Sequence, residues 1–336
     1  MKLTENFSLK NYNTFRIDVY AKYFAEFFSA DDLSEILENR KQDHKMILGG
    51  GSNILFTKDF DGIILKNEIP EISLVGEDDE YIYVMVGAGV NWHQFVMYCV
   101  SNNFGGVENL SLIPGNIGAS PMQNIGAYGV EIKDVFYELE ALHIGENSIE
   151  KFQNADCEFG YRESVFKKKY KGQFAILNVT FRLRKNPVFN ISYGAIEHEL
   201  TKMKVEKLSV KAVSDAVINI RRSKLPDPKV IGNAGSFFKN PEIESDRLKA
   251  LAEKEPGMPS YKINDNTFKI PAGFLIEKCG WKGYRKGDAG CYEKQALVLV
   301  NYGKATGKEI YDLSGEIKQS VLGKFGVELE REVNVV

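Results

Sequence analysis

The stretch 112–129 reads Leu-Ile-Pro-Gly-Asn-Ile-Gly-Ala-Ser-Pro-Met-Gln-Asn-Ile-Gly-Ala-Tyr-Gly, and its reading decides how the rest of the chain is understood. Glycines at 115, 118, 126 and 129 leave main-chain N–H groups uncovered and let the backbone approach a ligand closely. Successive N–H groups in such turns form concave anion sites suited to a diphosphate. Gln123 and Asn124 add side-chain amides, groups able to read the polar edge of a ring system. An isolated Gly/Pro cluster is more commonly an ordinary surface turn. Here, however, small and polar residues alternate with Ile113, Ile117, Met122 and Ile125, a mixture that suits a loop packed inside the protein. The stretch reads as a cradle for a flat ligand carrying two phosphates.

Upstream, the short buried strand Met46-Ile47-Leu48 runs into Gly49-Gly50-Gly51-Ser52-Asn53. Alone this turn is a weak signal, because it lacks both the Rossmann glycine spacing and the Lys-Ser/Thr of a P-loop. Paired with 112–129 it gains weight: two such turns can hold the two ends of one dinucleotide.

At 336 residues the chain is long enough for two or three domains. Its 43% hydrophobic and 26% charged residues are those of a globular protein, and a net charge of −3 argues against a nucleic-acid binder. Cys99, Cys157, Cys279 and Cys291 form no Cys-x-x-Cys pair and no zinc spacing with histidine, so no metal site is expected. Scattered thiols point to a reducing compartment. Residues 1–6 lack the apolar core of a signal peptide and no run is long enough to span a bilayer, so a cytoplasmic protein without membrane partners is expected.

In chain order, 20–28 reads as a strand. Ser29 follows as an N-cap for a helix carrying Leu33, Ile36 and Leu37, and short strands are expected at 54–56 and 63–65. Residues 81–86 alternate as a strand, and 91–102 form a helix with Trp92, Phe95, Val96, Cys99 and Val100 on its apolar side. His93 reads as a surface or helix-packing residue. Strands are expected at 136–143 and 174–183, with Gly160-Tyr161-Arg162-Glu163-Ser164 between them; from spacing alone Arg162 is an ordinary surface arginine. A short insertion then presents Tyr193. The helix over 209–222 ends in Arg221 and Arg222, basic residues that complement a helix C-terminus. Residues 232–241 read Gly-Asn-Ala-Gly-Ser-Phe-Phe-Lys-Asn-Pro; Ser236 either fills a tight turn or donates a proton in a closed site, since no hydrolase motif surrounds it. Helices over 271–280 and 306–325, a strand over 296–300 and a closing strand over 327–333 complete the reading. The acidic residues of that last strand ordinarily face water.

Taken together these segments resemble the UDP-N-acetylenolpyruvoylglucosamine reductase family over essentially the whole chain. The resemblance is carried by Asn-Thr-Phe-Arg at 13–16, by 48–56, 113–129 and 160–164, by Lys224-Leu225-Pro226-Asp227, by 232–241 and by 329–333. It implies an α+β flavoprotein with a two-part FAD-binding region of the vanillyl-alcohol-oxidase/PCMH type and a C-terminal α/β substrate-binding domain. The segments expected are 1–66 (with 327–336 returning to it), 67–205 with a tyrosine-bearing insertion near 186–200, and 206–326. By resemblance FAD would be held by Gly49, Gly50, Gly51, Ser52, Asn53, Pro114, Gly115, Gly118, Ala119, Ser120, Gln123, Asn124, Gly126, Ala127, Tyr128, Arg162 and Arg221. The catalytic set falls on Arg162, Ser236 and Glu332. Tyr193, Lys224, Asn240, Tyr261, Lys282 and Gln295 align with substrate-binding positions, and Tyr193 marks the longer, type I form.

The resemblance further implies NADPH-dependent, FAD-mediated reduction of UDP-N-acetylglucosamine enolpyruvate in cytoplasmic peptidoglycan precursor synthesis, by a monomer. Glu332 would hydrogen-bond an enolate only as a neutral acid, and Lys239 is expected to polarise the Ser236 hydroxyl. Arg331 stands where the family commonly has proline; the change is expected to be harmless, though the added charge beside Glu332 would shift that carboxyl's pKa downward. The competing readings are another FAD-dependent oxidase of the same fold and a non-catalytic nucleotide-sugar-binding protein.

Overall fold

The computed structural model describes residues 2–336. The chain divides into two compact units. One comprises the chain up to Phe7, Ala21–Gly51 and Asp61–Ser223; the other comprises Ser8–Tyr20, Ser52–Phe60 and Lys224–Val336.

In the first unit, strand Tyr20–Phe27 leads to helix Ala30–Asn39, whose Ser29 cap accepts from the Asp32 N–H. Strand Lys45–Leu48 then lies parallel to Phe60–Asn67. A five-stranded antiparallel sheet follows in the order Ser148–Gln153, Phe136–His143, Phe174–Arg184, Tyr81–Gly87, Ile72–Glu77. Helix Trp92–Ser101, capped by Asn91, packs Trp92 and Phe95 onto Phe181 of that sheet; the Phe95 and Phe181 rings stack with centroids 4.7 Å apart. The segments expected to be separate at 1–66 and 67–205 share a core, in which Phe27, Leu33, Ile63 and Leu65 pack with Leu142, Ala175 and Leu177. Helix Val210–Lys224, expected with the substrate-binding segment, instead groups with this unit. Its Val213, Ala216, Val217 and Ile220 bury against Ile196 and Leu200 of the insertion helix Gly194–Lys202.

The second unit is built on an antiparallel sheet in the order Gly232–Ser236, Val298–Asn301, Ala289–Cys291, Arg285–Lys286. Helix Gly307–Phe325 opens with a Thr306/Glu309 capping box, ends at left-handed Gly326, and buries Ile310, Leu313, Ile317 and Val321. The Asn-Thr-Phe-Arg motif is scaffold here. Buried Asn13 donates to the carbonyls of Leu9 and Ile17, the Asn233 N–H donates to the Thr14 carbonyl, and Asn301 Nδ2 donates to the Phe15 carbonyl. A side chain at Gly232 would place its Cβ 2.3 Å from that same Phe15 oxygen.

The expected strand over 327–333 is absent. Val327, Leu329 and Val333 are buried at every second or fourth place, but the segment is extended coil with a single bridge from Arg331 to Phe238. Its alternation records packing of an extended chain on a core rather than sheet pairing. The strand forms immediately after that segment, where Asn334–Val335 pairs in parallel with Ile54–Leu55. No helix among the described residues is long and apolar enough to cross a membrane.

Candidate functional site

In the first unit the loop 112–129 is clipped onto the turn that opens helix Trp92–Ser101. The N–H groups of Ile117 and Gly118 donate to the carbonyls of Val90 and Ala88, the Trp92 N–H donates to the Gly115 carbonyl, and Asn116 Nδ2 donates to the Gly89 carbonyl at 2.7 Å. The two glycine turns singled out from sequence meet. A Cβ on Gly50 would lie 2.8 Å from Asn116 Oδ1 and 2.9 Å from Gly115 Cα, whereas one on Gly49 would meet nothing nearer than 3.7 Å. At Gly118 a Cβ would lie 2.8 Å from Ala88 Cβ. Backbone surfaces thus approach as only glycine permits, the geometry a dinucleotide cradle requires. Within the loop Ile117 and Ile125 are buried as expected, while Met122 is exposed, as are Pro114 and Ala119.

Not every amide of the loop faces a ligand. Asn124 is fully buried; its Nδ2 donates to Glu131 Oε2 and the Gly160 carbonyl, and its Oδ1 accepts from the Lys133 N–H. This side chain is therefore structural, contrary to the expectation that it reads a ring edge, and its backbone is also engaged, the N–H donating to the Pro121 carbonyl and the carbonyl accepting from Arg162 Nη1. Ser120 is also buried, its hydroxyl donating to the Ile117 carbonyl.

The end of the loop gathers four predicted residues. Gly126–Ala127 pairs with Val130–Glu131, and Arg162, held at φ +57°, donates from Nη2 to the Gly126 carbonyl at 2.6 Å. Arg221 donates from Nε to the Leu112 carbonyl and hydrogen-bonds the Tyr128 phenol. Burial lowers the Arg221 pKa below the arginine norm, with the Tyr128 phenol opposing that shift and Arg162 adding to it. Burial likewise raises the Tyr128 phenol, against the pull of Arg221. The Tyr128 and Tyr193 rings meet edge to face at 5.4 Å, so the insertion tyrosine stands beside the loop. Two guanidiniums and two phenols make this corner suited to anionic, ring-bearing ligands.

Two residues outside the expected site hold this corner: His93, read from sequence as a surface or helix-packing residue, and Asn109, which sequence reasoning passed over. His93 accepts the Leu112 N–H on Nδ1, and burial followed by the Arg222 and Arg221 charges lowers its pKa, so it serves as a neutral acceptor. Asn109 donates from Nδ2 to the carbonyls of both Tyr128 and Asn190, tying the loop to the insertion. Nothing in local spacing marks either, because their partners are distant in sequence.

In the second unit Ser236 is exposed at the end of strand Gly232–Ser236, beyond an irregularity in its pairing. Gly235 at φ +71° makes the bend, and its N–H is held by Asn233 Oδ1. Phe237 and Phe238 are buried anchors, as expected. The C-terminal segment zips onto them: the Glu332 N–H donates to the Phe237 carbonyl at 2.9 Å, and the Lys239 N–H donates to the Glu330 carbonyl. Ser236 and half-buried Glu332 thus belong to one hydrogen-bonded strip, and Asn53 Nδ2 donates to the Glu332 carbonyl. Lys239 is buried with its ammonium 2.7 Å from Glu330 Oε1. Arg331 directs its guanidinium to Ser314 and Tyr311 of the long helix.

Of the expected substrate contacts, Asn240 and Gln295 each lie at the start of helix Ala272–Lys278. Asn240 Oδ1 accepts the Ala272 N–H, and Gln295 Oε1 lies 3.0 Å from where a Gly273 Cβ would stand. Lys282 pairs with Glu277 of that helix, Tyr261 is exposed on strand Tyr261–Lys262, and Lys224 is exposed at its own helix end. Burial pushes the Cys157 and Cys291 thiols up to about 12, which leaves them inert as nucleophiles.

An FAD binding domain family model matches residues 21–147, and one for the C-terminal domain of UDP-N-acetylenolpyruvoylglucosamine reductase matches 227–336. With the glycine cradle, these make the chain a flavoprotein oxidoreductase. UDP-N-acetylenolpyruvoylglucosamine reductases of Flavobacterium johnsoniae and Amoebophilus asiaticus are each 50% identical over all of both chains. That of Burkholderia pseudomallei is 46% identical over 99% of this chain and 96% of its own. The chain belongs to the UDP-N-acetylenolpyruvoylglucosamine reductase family, the enzymes of peptidoglycan precursor synthesis that use FAD with NADPH. The crystal structure of the Thermus caldophilus reductase shares the fold, with a TM-score of 0.70 at 21% identity over 99% of this chain and 98% of that one.

Proposed function

We propose that this chain adds a hydride and a proton across the enolpyruvyl double bond of UDP-N-acetylglucosamine enolpyruvate, giving UDP-N-acetylmuramate, with Ser236 as the proton donor. The observation that carries the assignment is the strip on which Ser236, exposed beside a left-handed glycine, and Glu332 are joined through Phe237. FAD, for which the glycine cradle is shaped, supplies when bound the means to pass a hydride from NADPH to C3 of the enolpyruvyl group.

The residues handle charge and the proton. Negative charge develops at C2 and spreads into the carboxylate as an enolate. The Arg162 guanidinium, already oriented by the Gly126 carbonyl, is a fixed cation for that charge, and such preorganised groups act most strongly where water is excluded. Glu332 in its neutral form hydrogen-bonds the enolate. Ser236 then delivers its hydroxyl proton to C2 and recovers one from solvent, which balances the addition. Lys224, Asn240, Tyr261, Lys282 and Gln295 hold the uridine diphosphate portion of the substrate, and Tyr193 is a further substrate contact. Four free thiols suit a cytoplasmic enzyme, and we take it to act as a monomer.

Anaerobic stopped-flow of Ser236→Ala tests the proton donor. Flavin reduction by NADPH stays at the wild-type rate while flavin reoxidation by the enolpyruvyl substrate slows by about 10²- to 10⁴-fold, the usual worth of a general acid. Normal turnover in this variant removes Ser236 from the mechanism.

A further inference from the structure

The backbone around Glu332 is fastened on both sides, and its neighbour supplies the fastening least expected from sequence. Arg331 donates from Nε to Ser314 Oγ at 2.8 Å, and its guanidinium lies 4.3 Å from the Tyr311 ring centroid. Ser314 is fully buried, and its hydroxyl donates to the Tyr311 carbonyl at 2.6 Å, so the oxygen that receives Arg331 cannot swing away. Tyr311 and Ser314 both lie on helix Gly307–Phe325, the longest in the chain and capped at both ends. On the backbone side Arg331 bridges Phe238, and the Glu332 N–H reaches the Phe237 carbonyl. Beyond Glu332, Asn53 Nδ2 holds its carbonyl, and Asn334 returns both its N–H and its Nδ2 to the Asn53 carbonyl.

We propose that Arg331 is a positioning residue for the reaction: by anchoring on Ser314 and Tyr311 it locks the coil 330–333 and so fixes Glu332 beside Ser236. Because 327–333 lacks a continuous ladder, its backbone is held by separate contacts rather than by a sheet, and the Arg331 side chain adds to them an anchor on the long helix. A planar guanidinium that stacks and donates at once is suited to the task, since little of its preorganised geometry is lost on binding. The proposal rests on the acid role given above to Glu332, and the experiment separates the two.

Hydrogen exchange on the full-length protein is followed for peptides covering 327–336 in wild type, Arg331→Ala and Ser314→Ala. Half-reactions of the flavin-loaded enzymes are followed by stopped-flow. In both variants, exchange at 330–333 speeds up at least tenfold while the sheet peptides around 298–301 keep their protection. Flavin reduction by NADPH is unchanged, and substrate reduction falls by about 10- to 100-fold, the scale for displacing a reacting group by an ångström. Wild-type exchange at 330–333, or equal slowing of both half-reactions, overturns the clamp. Ser314→Ala leaves the arginine stem and its ring contact in place, so it remains informative if Arg331→Ala folds poorly. Glu332→Gln is the control. If it reduces substrate at the wild-type rate, the acid role and the catalytic half of this proposal both fall. If it is slow while Ser314→Ala and Arg331→Ala are fast, the clamp alone fails.

Discussion

Replacing Gly50 by alanine tests whether the two glycine turns form one cradle. The added methyl would stand 2.9 Å from Gly115 Cα and 2.8 Å from Asn116 Oδ1. Carbon atoms prefer about 3.5–4.0 Å, so the turns must part by roughly 0.6 Å or more. Neither obstacle yields easily: one is backbone, and the other belongs to a side chain whose amide is fixed to the Gly89 carbonyl. Overpacking of this kind costs about 1–3 kcal/mol. If opening the cradle is how that strain is relieved, flavin affinity falls by about 5- to 150-fold, at 1.4 kcal/mol per factor of ten. Gly49→Ala is the matched comparison, because its methyl meets only ordinary contacts at 3.7 and 3.9 Å. Thermal melting of the flavin-free proteins should therefore separate the two variants, with Gly50→Ala destabilised by about 1–3 kcal/mol and Gly49→Ala close to wild type. Fluorescence titration with FAD then reads the affinity of Gly50→Ala. A Gly50→Ala protein that melts like wild type and binds flavin with undiminished affinity would refute the cradle geometry.

Two further outcomes follow from the site. His93 has its pKa lowered chiefly by burial, so the fold favours its neutral form; that contribution is complete above the unfolded value of about 6.5 and is lost as pH falls below it toward the folded value. Melts between pH 8 and 5 should show this loss in wild type and a flatter profile in His93→Asn, which keeps an acceptor for the Leu112 N–H; superimposable profiles would remove His93 from the account. Lys224→Ala should raise the KM for the sugar nucleotide while leaving kcat within a few-fold, as expected where a phosphate contact contributes equally to ground and transition states; steady-state kinetics reads this, and a drop in kcat at unchanged KM argues against a binding role.

Much of this was legible in the residues because the signals were local. Ser29, Asn91 and Thr306 announce helix starts and each caps one. The alternation in 81–86 likewise marks a strand with one buried face. Strand Ile72–Glu77 escaped because it is an edge strand with Leu74 and Val75 turned outward, and Ser148–Gln153 because only Phe152 is buried. Helix Ser245–Lys254 buries Leu251 alone, too little for an apolar stripe. Within the site, glycine identity foretold the close approach of Gly50 to Gly115, since steric need is written in the residue itself. Asn124 misled because an amide looks the same whether it serves a ligand or Glu131. Asn109 went unread, and the partners of His93 and Arg331 could not be foreseen, because what these residues hold is distant in sequence.

The most direct test of the central claim is anaerobic turnover of the flavin-loaded protein with NADPH and UDP-N-acetylglucosamine enolpyruvate in deuterated water, with the product examined by NMR. The account predicts solvent deuterium at C2, where Ser236 delivers its exchangeable proton, whether or not label also enters C3, because the N–H of a reduced flavin exchanges with water. Solvent label at C3 in place of C2, or no reduced product from protein that carries the flavin, would contradict it.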